Sequence, residues 1–198
     1  MNLRVARADD AESIARLHAT AVGEGFLPTL GPRFLRLLHR RITRSPHSFS
    51  IVAERGDVVG VVAVTEDVRR LYRDFLVRDG VRATAVALPR LARAAGRVFE
   101  TLRYPGRETE LPPAEVLVVA VDESARNQGV GRALLERVTS ELERRRVSAV
   151  RVVTTADNEP ALALYRAAGF RDVRSTEIHA GTASVVLVRS DAPSDVAT

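Results

Sequence analysis

The sequence predicts an α/β chain in which helices flank one sheet. Three observations predict it. Residues 117–121, Leu-Val-Val-Ala-Val, form an apolar run of strand length that feeds a glycine turn and then a helix. Two pairs of apolar runs, 48–54 with 58–65 and 171–178 with 183–189, are separated by short turns and read as hairpins. The stretches between them carry apolar residues at helical spacing.

Composition sets the frame. A chain of 198 residues has room for one domain with a proper core. Hydrophobic content of 45% and charged content of 28% suit a soluble globular protein. There is no cysteine, hence no disulfide framework and no thiolate metal site. His18, His39, His47 and His179 show no metal-ligand spacing, and no metal is expected. No apolar run reaches the roughly 18 residues that a membrane span needs, so no membrane partner is expected. The first residues lack the apolar core of a signal peptide, which points to a cytoplasmic protein.

All 30 basic residues are arginine, and the net charge is +5. Compositional bias accounts for that balance. The sharper reading is a polyanionic partner such as RNA. An aromatic content of 5% and the absence of tryptophan disfavour nucleic acid without excluding it.

Taken in order, residues 3–8 read as a first strand. Asp9 is a good N-cap, with Glu12 three positions on completing a capping-box pattern. Ile14, Leu17, His18 and Ala21 follow at helical spacing, and the glycines at 23 and 25 end that helix. Residues 32–44 form a second helix, with Pro32 in its first turn and Phe34, Leu35, Leu38 and Ile42 on its apolar face. Its arginines form a solvated face. Residues 66–113 hold two helical segments, about 68–78 and 83–102, then an irregular connector. A helix to about residue 146, a strand at 147–155, a helix opened by Pro160 and closed by Gly169, and the second hairpin complete the fold.

The turn after 117–121 carries the chemistry. Residues 126–131, Arg-Asn-Gln-Gly-Val-Gly, lie between a buried strand and a helix N-terminus. The first amides of a helix lack partners of their own, and the helix dipole adds partial positive charge. Gly129 and Gly131 permit close approach, and Arg126 and Arg132 add charge-assisted bonds. This is a site for a pyrophosphate. A Rossmann dinucleotide site is disfavoured, because Gly-x-Gly-x-x-Gly is absent at the junction.

Arg126-x-x-Gly129-x-Gly131 resembles the acyl-CoA signature of the GNAT family of N-acetyltransferases. Asn158-x-x-Ala161-x-x-x-Tyr165-x-x-x-Gly169-Phe170 resembles the second signature of the same family, in the right order and one helix and one strand downstream. The resemblance covers about 115–189 and does not extend to 66–113. It implies a mixed, mostly antiparallel central sheet with a splayed parallel strand pair, 117–121 and 147–155. It implies one domain over 1–189, with 66–113 as a helical insertion and 190–198 as a disordered tail.

It also implies roles. Acetyl-CoA is the cosubstrate. Val119, Ala120 and Val121 offer backbone to its pantetheine arm, and an N–H near Val119 polarises the acyl oxygen. Arg126, Asn127, Gln128, Gly129, Val130, Gly131 and Arg132 hold the pyrophosphate. Asn158 and Ala161 bind the arm or orient the following helix. Tyr165, four positions after Ala161 and so on the same face, protonates the leaving thiolate. A phenol near pKa 10 is a sensible acid for a thiolate of roughly 8.5 or above. Glu115 and Asp122 are the candidate bases by position, with Glu110, Glu66 and His18 as outsiders. Many members carry proline where Glu123 stands, so a slightly looser turn is expected here.

The function implied is transfer of acetyl to an amine acceptor by direct attack in a ternary complex. A non-catalytic acyl-CoA-binding module and an acetyltransferase acting on aminoacyl-tRNA are the alternatives. Acceptor choice is expected to rest on residues 23–44 and on the insertion. The insertion either covers the acceptor cleft or forms a dimer contact, so the chain is a monomer or a homodimer.

Overall fold

The computed structural model describes residues 1–21, 26–103, 111–179 and 182–190. Strands β1 (Asn2–Val5), β2 (Ser48–Arg55), β3 (Asp57–Thr65), β4 (Glu115–Val121), β5 (Ala149–Thr155), β6 (Arg171–His179) and β7 (Thr182–Ser190) form one sheet in the order β1-β2-β3-β4-β5-β7-β6. Every neighbouring pair is antiparallel except β4 with β5. The mixed, mostly antiparallel sheet expected from the sequence is present.

Helices α1 (Ala11–Ala21), α2 (Phe26–Thr29), α3 (Pro32–Arg44) and α4 (Val68–Arg103) precede β4, and α5 (Val130–Arg144) and α6 (Glu159–Ala167) follow it. The sheet is apolar on both faces because both faces are covered. On one face Ile51, Val62 and Val64 pack with Leu134, Leu135 and Val138 of α5 and Leu162 and Tyr165 of α6. On the other Val52, Val61 and Ala63 pack with Ile14 and Leu17 of α1, Leu38 and Ile42 of α3, and Leu71 and Phe75 of α4.

β4 changes its phase between these layers. Ala63 of β3 is opposite Val118 and Val64 is opposite Val116, so Leu117 is an extra residue. A bulge of this kind re-aims the side chains beyond it. Val116, Val119 and Val121 therefore face α5 and α6, while Leu117, Val118 and Ala120 face α1, α3 and α4.

The parallel pair is joined over two positions, Glu115 with Arg151 and Val116 with Val152. Beyond them β4 keeps its partner β3 and β5 keeps its partner β7, but the two share no ladder. The expected splay is thus a wedge that opens toward the C-terminal ends of both strands.

α5 is clamped at its far end. Glu141 is 3% exposed and accepts from Arg144 Nη2 at 2.6 Å and Arg145 Nε at 2.8 Å. Arg145 also donates to Glu66 Oε1 at 2.9 Å and to Pro46 O at 3.0 Å, and lies over the Phe49 ring at 4.6 Å.

Several local expectations change. Asp10, not Asp9, does the capping: it accepts from the Arg7 amide at 2.6 Å and from Arg4 Nη1 at 2.7 Å. The second arginine contact makes the difference, since Arg4 also reaches Glu54 at 3.0 Å and ties β1 to β2. The two helices expected in 66–113 are one, α4, which runs through Gly80. A glycine inside a helix costs only about 1 kcal/mol, and Leu71, Phe75 and Ala83 anchor both sides of it. Arg41 and Asp79, 2.6 Å apart, hold α4 to α3. Ser190 ends β7, while the rest of the expected tail, the connector at 104–110 and the turn at 180–181 lie outside the described residues.

His18 packs in the interior rather than facing a cleft. It is 4% exposed, and its Nδ1 lies 3.0 Å from Nε2 of His39, itself 1% exposed. Burial lowers His18 to about 4 and His39 to about 3. Both rings are neutral in the fold, whereas in the unfolded chain each takes up a proton near 6.5. Their contribution to stability is complete above pH 6.5 and falls away as the pH drops toward 4. The urea midpoint is expected to fall between pH 7 and pH 5, and to fall less in a His18→Leu/His39→Leu double variant. A midpoint equally level in both proteins would contradict a buried neutral pair.

Candidate active site

The turn at residues 126–131, expected to hold a pyrophosphate, lies at the mouth of the wedge between β4 and β5. β4 ends with the Asp122 amide on Val59 O at 2.8 Å. The Asp122 carboxylate then accepts from the Ser124 amide at 3.0 Å and caps the tight turn Glu123–Ala125. Bonding to the Ser124 hydroxyl and then its amide holds the Asp122 carboxyl below the usual range. Ala125, 2% exposed, pins this turn into the core. At Glu123, where a looser turn was expected, the Asp122 side chain caps the turn.

The chain then turns through two left-handed residues, Asn127 (φ 59°) and Gly129 (φ 75°). α5 closes its first turn with the Ala133 amide on Gly129 O at 3.0 Å, so the amides before it are donors toward the outside. Alternating backbone conformations of this kind gather N–H groups into an anion-binding concavity. Arg126 donates to Val121 O at 3.3 Å, and Gln128 Nε2 to Ser124 O at 2.8 Å. Arg132 is engaged by Glu136 at 2.9 Å. Val130 is 1% exposed and is a core residue.

The two glycines serve different ends. A Cβ on Gly129 meets nothing within 4 Å, and its left-handed φ is what calls for glycine. A Cβ on Gly131 meets Leu164 Cδ2 at 3.2 Å, so here glycine lets α5 pack against α6.

α6 flanks the wedge. Asn158 caps it, its Oδ1 accepting from the Ala161 amide at 3.3 Å, and Pro160 fits the first turn. Ala161 is half-buried against the same core layer as Val119, Val121 and Tyr165. Tyr165 is 6% exposed and leans on Phe170 at 5.8 Å between ring centres. Burial pushes its phenol above its ordinary value of 10. Ala120, 2% exposed, points to the other layer and offers only backbone.

The two candidate carboxylates are at opposite ends of β4, roughly 20 Å apart for seven strand residues. Glu115 lies at the closed end of the wedge, its Oε2 2.8 Å from Arg151 Nε. The Tyr72 phenol of α4 is pushed up to about 12, by desolvation first and then by the Glu115 carboxylate. Asp122 lies at the open end. Glu66 belongs to the clamp on α5, and Glu110 falls outside the described residues.

Two residues of this region were not picked out in the sequence. Arg151 shares the closed end with Glu115. Arg55, from the β2–β3 turn, reaches across to the cradle and donates to Gln128 Oε1 at 2.6 Å. The only local signal for Arg55 was its place beside a glycine turn.

On the α1–α3 side a cavity of about 530 Å³ is lined by Glu12, Ala15, Arg16, Pro32, Arg33 and Arg36. Among the described residues no group of three His, Asp or Glu side chains has a metal-binding arrangement, and no helix is long and apolar enough to cross a membrane.

A sheet parted beside an anion cradle is the architecture of an acyltransferase fold. The model of the acetyltransferase (GNAT) family matches residues 12–170, and the chain belongs to that family of acyl-CoA-dependent acetyltransferases. It is 42% identical over 62 residues to the [Ribosomal protein bS18]-alanine N-acetyltransferase of Escherichia coli, covering 31% of this chain and 42% of that one. It is 44% identical over 89 residues to the mycothiol acetyltransferase of Clavibacter michiganensis, covering 43% and 28%. The chain thus spans less than half the length of these curated relatives. The structure of Arabidopsis thaliana NAA60 in complex with acetyl-CoA is similar over 96% of this chain and 98% of its own, at 17% identity and a TM-score of 0.61. That last likeness shows the fold alone.

Gly131→Ala tests the packing of the cradle. Its methyl would come within 3.2 Å of Leu164 Cδ2, so the gain of about 1 kcal/mol that alanine brings inside a helix is expected to be largely cancelled in denaturant melts. Adding Leu164→Val is expected to recover part of that gain, and strict additivity of the two changes would argue against the contact.

Proposed function

We propose that the chain is an N-acetyltransferase that moves acetyl from acetyl-CoA to an amine by direct attack in a ternary complex. The observation that carries this reading is the wedge: two parallel strands joined at Glu115–Arg151 and Val116–Val152, with the 126–131 cradle at its open end. Backbone that leaves a ladder needs other hydrogen-bond partners. The amides of a pantetheine arm are such partners, along the free edge of β4 at Val119, Ala120 and Val121. The amides of 127–131 and Arg126 take the pyrophosphate. Gly129 leaves open space for it.

The sides of the sheet divide the labour. Tyr165 lies in the α5–α6 layer, while the alternation of β4 puts Glu115 on the side of α4 and Tyr72. A thioester carbonyl held in the gap, polarised by an N–H near Val119, is then open to an amine from the α1–α3–α4 side. Its sulfur departs on the other side, where Tyr165 protonates it. Burial raises the Tyr165 pKa, which keeps the phenol protonated at neutral pH and also makes it a weaker acid toward the departing sulfur. Glu115, through water, is the better placed of the two carboxylates to take the amine proton, because Asp122 caps its own turn at the far end.

For the acceptor we favour the α-amine of a protein N-terminus, the class in the name of the Escherichia coli relative. The arginine-lined cavity between α1 and α3 takes Pro32, Arg33 and Arg36 from the stretch expected to select it, and Glu12, Ala15 and Arg16 from α1.

Calorimetry with acetyl-CoA is the first test, with Gly129→Glu alongside. Tight binding lost in the variant is expected, since a carboxylate then occupies the cradle. Thiol release in the presence of alanine-initiated peptides and of small sugar amines then ranks the acceptors. Tyr165→Phe is expected to lower kcat by about 100-fold or more, with acetyl-CoA affinity unchanged. Wild-type protein that binds no acetyl-CoA, or a Tyr165→Phe variant with full turnover, would defeat the reading.

A further inference from the structure

We propose that Arg55 is a phosphate-reading residue of the cosubstrate site and contacts the ribose 3′-phosphate of coenzyme A. The inference rests on the acyl-CoA reading above and names a residue outside both sequence motifs.

Three arginines surround the cradle, and their charges are differently spent. Arg132 is paired with Glu136 at 2.9 Å. Arg126 bonds a backbone carbonyl, Val121 O. Arg55 bonds a neutral amide, Gln128 Oε1, at 2.6 Å. Arg126 also acts electrostatically on the Asp122 carboxylate, whereas Arg55 has no carboxylate partner among the described residues. A guanidinium has five donors, and the Gln128 bond engages one donor of Arg55. Its charge is therefore available to an anion at the rim.

The position is built, not incidental. The β2–β3 turn holds Gly56 at φ 85°, a conformation that aims the residues beside it without steric cost. β2 and β3 lie under α5: a Cβ on Gly60 would touch Leu134 and Val130 at 3.0 Å. That close packing brings the tip of the hairpin to the start of α5. Gln128 completes the link, because its other end donates to Ser124 O at 2.8 Å. Arg55 is thereby held at the edge of the cradle from a position 73 residues away.

Coenzyme A carries two kinds of phosphate, a pyrophosphate and a 3′-phosphomonoester. The backbone amides and Arg126 suit the bridging pyrophosphate. A guanidinium set outward from them suits the more exposed, more highly charged monoester.

The test is calorimetric binding of coenzyme A and of 3′-dephospho-coenzyme A to wild type, Arg55→Gln and Arg55→Lys, each checked for an unchanged thermal midpoint. Wild type is expected to bind coenzyme A about tenfold more tightly than the dephospho form. Arg55→Gln is expected to lose that preference while binding the dephospho form as wild type does, and Arg55→Lys to keep part of it. Equal weakening toward both ligands would overturn the proposal and leave Arg55 as a brace for Gln128. No change toward either would overturn it too. Wild type that binds neither ligand would defeat the acyl-CoA reading itself, and this proposal with it.

Discussion

Two matched residues on each strand join β4 to β5, and the geometry of the site descends from that short ladder. A parallel pair inside a sheet normally continues until one strand ends. Here β5 is drawn away with β7 over seven matched positions, and β4 stays with β3. Parallel pairing is slightly less stable per residue than antiparallel pairing, so the β4–β5 ladder is the least costly of the three to shorten. The cost is a row of backbone groups without a ladder, which a peptide-like ligand can satisfy. The bulge at Leu117 falls just beyond the last joined position. It turns Val119 and Val121 toward the side where Tyr165 lies and Val118 and Ala120 toward the other.

A cradle made of helix amides needs its helix held still. The far end of α5 is fixed by Glu141 and Arg145, which reach Glu66, Pro46 and Phe49 at the opposite edge of β2 and β3. Bonding to Arg144 and Arg145 lowers the Glu141 carboxyl to about 2. Its charge, and with it the clamp, is therefore retained well below neutral pH. The near end is fixed by Ala125 in the core and by the close fit of Gly131 on Leu164. The turn is thus anchored at both ends by contacts that leave its outward amides uninvolved.

Much of the fold was legible because its signals are local. The apolar run at 117–121, the two hairpins and the Asn158–Pro160 helix start each carry their instruction within a few residues. The splayed parallel pair came only through the family resemblance, and the place of β7 between β5 and β6 was not anticipated. What was not legible was long-range or competitive. Asp9 and Asp10 are equally good caps by type, and Arg4 from β1 decides between them. The segments expected at 68–78 and 83–102 are continuous through Gly80, where burial of Phe75 and Ala83 on either side overrides the low propensity of glycine. In the site, the motif residues were visible as a pattern, but the distinct reasons for Gly129 and Gly131 needed the neighbours of each. Arg55 carried no signal beyond its place beside a glycine turn, since its partner is fixed by how two hairpin strands pack beneath a helix.

The ion pairs described above, at Glu141, Glu66, Asp10, Asp79 and Glu115, all draw their positive charge from arginine. A lysine in any of these places would present a primary amine, and acetylation would erase its charge. A guanidinium stays protonated and is a poor nucleophile. None of these ion pairs therefore offers a primary amine to an activated thioester. Acetyl label accumulating during turnover would mark the acceptor, and the side chains that hold the fold together would keep their charges.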